Sequence, residues 1–184
     1  MTESSHLKYN PSSKEYPMSE SPSVEFDPQA HTYGQSRYFE DFEVGETFYI
    51  PSRTMSDAYF AAFQLASGDN HPIHYDIEYC RRRGYDGLLA HGFQVLCQTA
   101  PGAGTLPHVI GDALVAFLEQ SSRFLGPVYS GDTVYPLLEI TQLRPGKTTG
   151  VMVLRSTVHN QRSELVMEGE QKMLVRKRAS TAAS

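Results

Sequence analysis

Apolar and polar residues first fall into a structured pattern near Tyr38, where Tyr-Phe-Glu-Asp-Phe-Glu-Val-Gly-Glu-Thr runs into Phe48, Tyr49 and Ile50. That short aromatic and β-branched run, bounded by Gly45 and Pro51, predicts a first strand. Ser56 and Asp57 mark a helix start, and Tyr59, Ala62, Phe63 and Ala66 recur at i, i+3, i+4 and i+7 to give one apolar face. Gly68 ends that helix. Pro72 does not suit a helix interior, so Asp69 to His74 forms an irregular connection, after which Asp76 caps a short helical turn that stops at Gly84. A longer helix follows His91, with Phe93, Leu96, Cys97 and Ala100 on one side and Pro101 with Gly102 at its end. It is apolar enough to be buried.

From residue 113 the pattern becomes that of strands. Ala-Leu-Val-Ala-Phe-Leu is a continuous apolar run, and further segments follow near 132–143, 150–160 and 164–175. Ser130-Gly131-Asp132, Arg144-Pro145-Gly146 and Asn160-Gln161-Arg162-Ser163 supply the turns. Long consecutive strands with short turns predict an antiparallel meander, and helices grouped early with strands late predict an α+β domain. A single curved sheet leaves edges open, so pairing of two copies into a homodimer is the expected remedy.

With 184 residues the chain is long enough for one packed core plus tails. Residues 1–36 carry four prolines and eight serines, so residues 1–37 are read as an extended or disordered arm. The body is then 38–176 and a flexible tail 177–184. Its net charge of -5 leaves an acidic body, without the footprint needed for nucleic acid beyond Arg176, Lys177 and Arg178. Two cysteines, Cys80 and Cys97, without metal-type spacing read as reduced thiols. Neither a leader pattern nor a membrane span is apparent, so a cytoplasmic location is expected.

The stretch Gly68-Asp69-Asn70-His71-Pro72-Ile73-His74-Tyr75-Asp76 gathers two carboxylates and two imidazoles on one proline-fixed loop. Adding water across a carbon double bond requires a group that takes a proton from water and a route that returns one to the neighbouring carbon. A carboxylate and an imidazole can share both tasks near neutral pH. The same residues read equally as structural, with Asp69 capping a turn and His74 bonded to a backbone carbonyl. Asp69, His71, His74 and Asp76 could also ligate a metal, but a proline between the histidines departs from regular zinc spacings, and none is expected. Gly102-Ala103-Gly104 follows a helix and lacks the context of a dinucleotide loop. Arg81, Arg82 and Arg83 could meet the phosphates of a coenzyme. Neighbours on a helix point about 100° apart, however, so a solvated face is the competing reading.

Gly68, Asp69, Pro72, Ile73 and His74 resemble the G-D-x-N-P-[LIV]-H motif of the MaoC-like dehydratases and R-specific enoyl-CoA hydratases. Ala90-His91-Gly92 and the run from Phe124 to Thr133 are similar to further segments of that family, and the resemblance spans roughly 38–176. It implies a single hot-dog domain, with an antiparallel sheet wrapped around a central helix. It also implies that Asp69 and His74 are the catalytic pair, acting on an enoyl-CoA or 3-hydroxyacyl-CoA substrate with no cofactor beyond the coenzyme A of the substrate. His71 departs from the pattern, standing where the family has Asn. Gly68, His71, Pro72 and His91 would support the loop, and the Gly92 amide would meet the thioester carbonyl at a helix start. A hot-dog thioesterase and a noncatalytic acyl-thioester binding subunit are the rivals. The first is disfavoured because Phe93 to Ala100 contains no acidic residue.

Overall fold

The structure is a computed structural model that describes residues 26–31 and 34–179. Most of the arm, and tail residues 180–184, lie outside the described residues. Residues 26–31 belong to a separate unit and form a turn in which Asp27 accepts from the amides of Gln29 and Ala30. The larger unit begins at Tyr33. Its order is β1 (Thr47–Tyr49), β2 (Arg53–Thr54), α1 (Asp57–Ser67), α2 (Ile77–Arg82), α3 (Gly92–Cys97), α4 (Leu106–Ile110), β3 (Leu114–Phe124), β4 (Thr133–Pro145), β5 (Thr149–Asn160) and β6 (Leu165–Arg176).

All pairings within the sheet are antiparallel, in the order β1-β4-β5-β6-β3, with β2 also on β4. The expected meander holds for β4, β5 and β6. It fails for β3, which pairs with β6 at the far edge, so residues 125–132 cross the end of the sheet before β4 begins. The crossing segment is held by the Leu125 and Gly126 amides donating to the Val166 carbonyl. At its end Asp132, buried, accepts from the Tyr129 amide at 2.8 Å and from Gln161 at 2.5 Å.

Two buried clusters fill the concave side. One joins Phe39, Phe48, Leu106 and Ile110 to Leu138, Met152 and Met173 on the sheet. The other, beneath the candidate site, joins Met55, Phe60 and Val95 to Val134, Val158 and Met167. α1 is anchored by Phe60. The expected stripe of Tyr59, Ala62, Phe63 and Ala66 is exposed apart from a half-buried Phe63.

α3 corrects the sequence reading in two ways. It has one and a half turns where a longer helix was expected, and the face it buries is Gln94, Val95, Gln98 and Thr99. The physical reason is a polar partner on the sheet, because buried Gln171 donates from Nε2 to the Thr99 carbonyl at 2.9 Å. The apolar face with Phe93, Cys97 and Ala100 is left open, and Phe93 is 73% exposed.

Three boundary residues are tied to the body. Arg37 ion-pairs with Glu46 at 2.7 Å, and its amide donates to the Val109 carbonyl. Lys177 donates from its amide to Thr148, and Arg178 bonds Asp41 at 2.5 Å.

Candidate active site

α1 delivers the site by its ending. Gly68 adopts φ +70° and ψ 6°, and its amide donates to the Gln64 carbonyl at 2.9 Å, which turns the chain abruptly into Asp69. The Asp69 amide donates to Ser67 Oγ at 3.2 Å, and Asp69 Oδ1 accepts from the His71 amide at 3.2 Å. One carboxylate oxygen is thus committed to shaping the loop, and the other, Oδ2, faces His74 Nε2 at 3.9 Å.

His74 closes a single 3-10 turn, Pro72–His74, which Pro72 opens and the His71 ring caps by accepting from the Ile73 amide at Nδ1, 3.3 Å away. The imidazole acts there as an acceptor, which needs an Nδ1 that carries no proton. Leu89 holds the turn at two points. Its amide donates to the Ile73 carbonyl at 3.1 Å, and its carbonyl lies 2.7 Å from His74 Nδ1. A carbonyl only accepts, so the His74 proton sits on Nδ1 and the Nε2 lone pair points toward Asp69. Leu89 is itself fixed by a β-bridge to Tyr129, with the Ala90 amide donating to the Val128 carbonyl beside it.

Burial holds the His74 pKa below its ordinary value of 6.5, and the nearby His91 and His71 rings act in the same direction. The Leu89 carbonyl and Asp69 oppose the shift without reversing it. His74 is accordingly neutral at neutral pH, whereas the Asp69 side chain is 53% exposed and open to solvent.

His91, the residue before α3, stacks on His74 with ring centroids 3.6 Å apart and planes at 21°, and the Phe63 ring lies 5.0 Å from His91, tilted by 50°. Asp69, His74 and His91 each place one potential ligand atom within 4.8 Å of the others. The donor set would suit a divalent metal, but stacked rings send their lone pairs side by side, where coordination needs them to converge. His91 Nε2 also lies 3.2 Å from the Asp69 carbonyl. The trio fits a metal poorly.

The remaining sequence candidates fall in separate places. Gly92 is the first residue of α3, and a methyl there would press on the Phe124 ring at 3.1 Å, so packing against β3 already favours glycine at this position. The amides of this first turn precede any intrahelical acceptor. Arg81, Arg82 and Arg83 are all exposed, at the end of α2. Arg81 pairs with Glu78 and Arg83 lies over the Tyr79 ring at 5.2 Å, so the three cations do not converge. Asp76 caps α2 by accepting from the Tyr79 amide. Sequence reasoning missed Gln94, which faces His91 at 3.4 Å; the available signal was a glutamine three residues after a histidine at a helix start.

Among the described residues no helix is long and apolar enough to cross a membrane. Residues 41–161 match the family model of the MaoC-like domain. A 3-hydroxybutyryl-CoA dehydratase of Methylorubrum extorquens is 29% identical over 137 residues, 72% of this chain and 80% of that protein. An (R)-specific enoyl-CoA hydratase of Rhodospirillum rubrum is 29% identical over 75% of this chain and 91% of its own length. Among solved structures, a monoamine oxidase regulatory protein from Archaeoglobus fulgidus aligns with a TM-score of 0.74 at 27% identity, over 80% of this chain and 99% of that one. The (R)-hydratase of Aeromonas caviae aligns at 0.63 and 28% identity, over 73% and 97%. With an α+β hot-dog domain and two-thirds of its length matched by the family model, the chain belongs to the MaoC-like family of hydratases and dehydratases.

Proposed function

We propose that the protein reversibly adds water to the 2,3 double bond of an enoyl-CoA, giving the 3-hydroxyacyl-CoA, with Asp69 and His74 as the catalytic pair. The observation that carries this reading is the separation of 3.9 Å between Asp69 Oδ2 and His74 Nε2. A water about 2.8 Å from each would subtend roughly a right angle between them, so one molecule can bond both groups at once. His74, neutral and protonated on Nδ1, accepts a proton from that water at Nε2 as the oxygen bonds to carbon 3. Asp69 accepts a hydrogen bond from the water's other hydrogen, which stays on the oxygen as the 3-hydroxyl, and so orients the nucleophile. The electron pair of the double bond moves toward the thioester carbonyl, where the Gly92 amide stabilises the developing charge. The proton now on His74 passes to carbon 2, directly or through water, and restores the starting state. No redox cofactor is required, because hydration exchanges no electrons with the protein.

The substrate-bearing unit is proposed to be a homodimer in the cytoplasm. β3 has a neighbour on one side only, and Leu114, Phe117, Leu118 and Phe124 on it are between 43% and 50% exposed. With Phe93, 73% exposed, they offer apolar surface suited to a second copy of this chain.

Hydration of crotonyl-CoA, followed by loss of the conjugated-thioester absorbance, tests the reading. Asp69→Asn and His74→Ala are each expected to lower kcat by about 10²- to 10⁴-fold. Release of free coenzyme A without hydrated product would assign the fold to thioester hydrolysis. Binding without turnover across straight and branched enoyl-CoAs would make it an acyl-thioester carrier.

A further inference from the structure

Two buried polar side chains lie directly behind the proposed catalytic pair: His91, 3% exposed, and Gln94, 2% exposed. With the Gln94 amide oxygen turned toward His91, both imidazole nitrogens face acceptors. Nδ1 meets Gln94 Oε1 at 3.4 Å and Nε2 meets the Asp69 carbonyl at 3.2 Å. A neutral imidazole carries one N–H, so one of these contacts would lack its hydrogen. Gln94 Nε2 is meanwhile buried with no partner. Rotating the amide by half a turn, which leaves its shape unchanged, settles the mismatch at His91: Nε2 then donates to His91 Nδ1, His91 keeps its hydrogen for Asp69, and the amide oxygen takes the unpartnered place.

We propose that Gln94 and His91 form a positioning relay behind the catalytic pair. Gln94 donates to His91 Nδ1, His91 Nε2 donates to the Asp69 carbonyl, and the His91 ring fixes the plane in which His74 presents its lone pair. This rests on the hydratase reading of Asp69 and His74. Two consequences follow from the geometry. The stacked imidazoles hold opposite tautomers, with hydrogen on Nδ1 in His74 and on Nε2 in His91. The His91 nitrogen nearest the reacting water is also occupied, so His74 Nε2 is the one imidazole lone pair of the stacked pair aimed at it. Gln94 enforces that choice from α3, because its backbone is held in turn by Gln98 Nε2 donating to the Gln94 carbonyl at 3.0 Å.

The tautomers can be read without any turnover. In the full chain labelled with nitrogen-15 histidine, long-range proton–nitrogen correlation at neutral pH is expected to show the Nε2–H form for His91 and the Nδ1–H form for His74. His91→Gln serves to assign the signals. His91 found as the Nδ1–H tautomer, or doubly protonated, overturns the relay. Gln94→Met keeps the length and apolar volume of the side chain but has no donor. It is expected to lose the single-tautomer signature of His91 and to lower kcat by about ten-fold with KM changed by less than about two-fold. A Met variant with wild-type kcat and an unaltered His91 spectrum also overturns it. If the predicted tautomers are present while Asp69→Asn leaves hydration unchanged, the relay stands and the assignment of the catalytic pair fails.

Discussion

Gly68 offers a clean test of how the loop from Asp69 to His74 is launched. Its backbone sits at φ +70°, and a methyl group built on it would meet nothing within 4 Å. Gly68→Ala therefore introduces no clash and isolates a backbone cost. The left-handed conformation costs an L-residue about 1–2 kcal/mol, offset in part by about 0.4–1 kcal/mol of lost freedom in the unfolded chain, for a net of about 1 kcal/mol. In a chain of this size that corresponds to a fall in Tm of about 2–4 °C. Gly68→Asn should lose less, since Asn tolerates the left-handed region. The effect on rate can exceed the effect on stability. If the end of α1 relaxes to relieve the strain, Asp69 moves relative to His74, and a displacement of about 1 Å can cost about 10²-fold in kcat. Thermal melts at one fixed protein concentration, with crotonyl-CoA hydration on the same samples, measure both. An alanine variant that melts and turns over like the wild type, or an asparagine variant no better than alanine, would refute the claim that Gly68 supplies a positive φ.

Activity should depend on pH through His74, whose pKa is lowered chiefly by burial from 6.5. The neutral base is present above its folded pKa and lost below it, so kcat/KM is expected to stay level through neutrality and to fall with a midpoint below pH 6.5. The same group contributes stability that is fully present above pH 6.5 and is lost as the pH falls through the folded value. A midpoint above 6.5 for a limb that persists in His71→Asn, where the loop cap cannot titrate, contradicts this. Phe117→Glu on the free edge of the sheet is expected to shift sedimentation from dimer to monomer at micromolar concentration; an unshifted dimer would place the interface elsewhere.

Much of the fold was legible because local chemistry fixed it. Ser56 and Gly68 bracket α1 as expected; the Ser56 side chain makes no capping bond, whereas the left-handed glycine acts within a turn of itself. The last three strands fall within a few residues of their turn signals for the same reason. The loop from Asp69 to His74 was recognisable as irregular from Pro72 alone. What periodicity could not disclose was which apolar face the chain covers itself. In α3 the apolar stripe and the buried face are different faces, because Gln171 reaches up from the sheet to a polar one. The place of β3 beside β6 was equally out of reach, since pairing between strands distant in the chain leaves no trace in either strand's own pattern. Leu89, which orients His74 through its carbonyl, was invisible because any residue supplies a carbonyl; only its position matters.

The neighbour relation between β3 and β6 also governs how the protein can be made. About fifty residues separate Leu114 from Leu165, so a nascent chain displays the apolar β3 segment well before the ribosome has released the strand that shelters it. Until then both margins of β3 are open, one of them awaiting β6. The interval between synthesis of Leu114 and of Leu165 is thus when chaperone capture matters most, and truncation within it should yield insoluble chains.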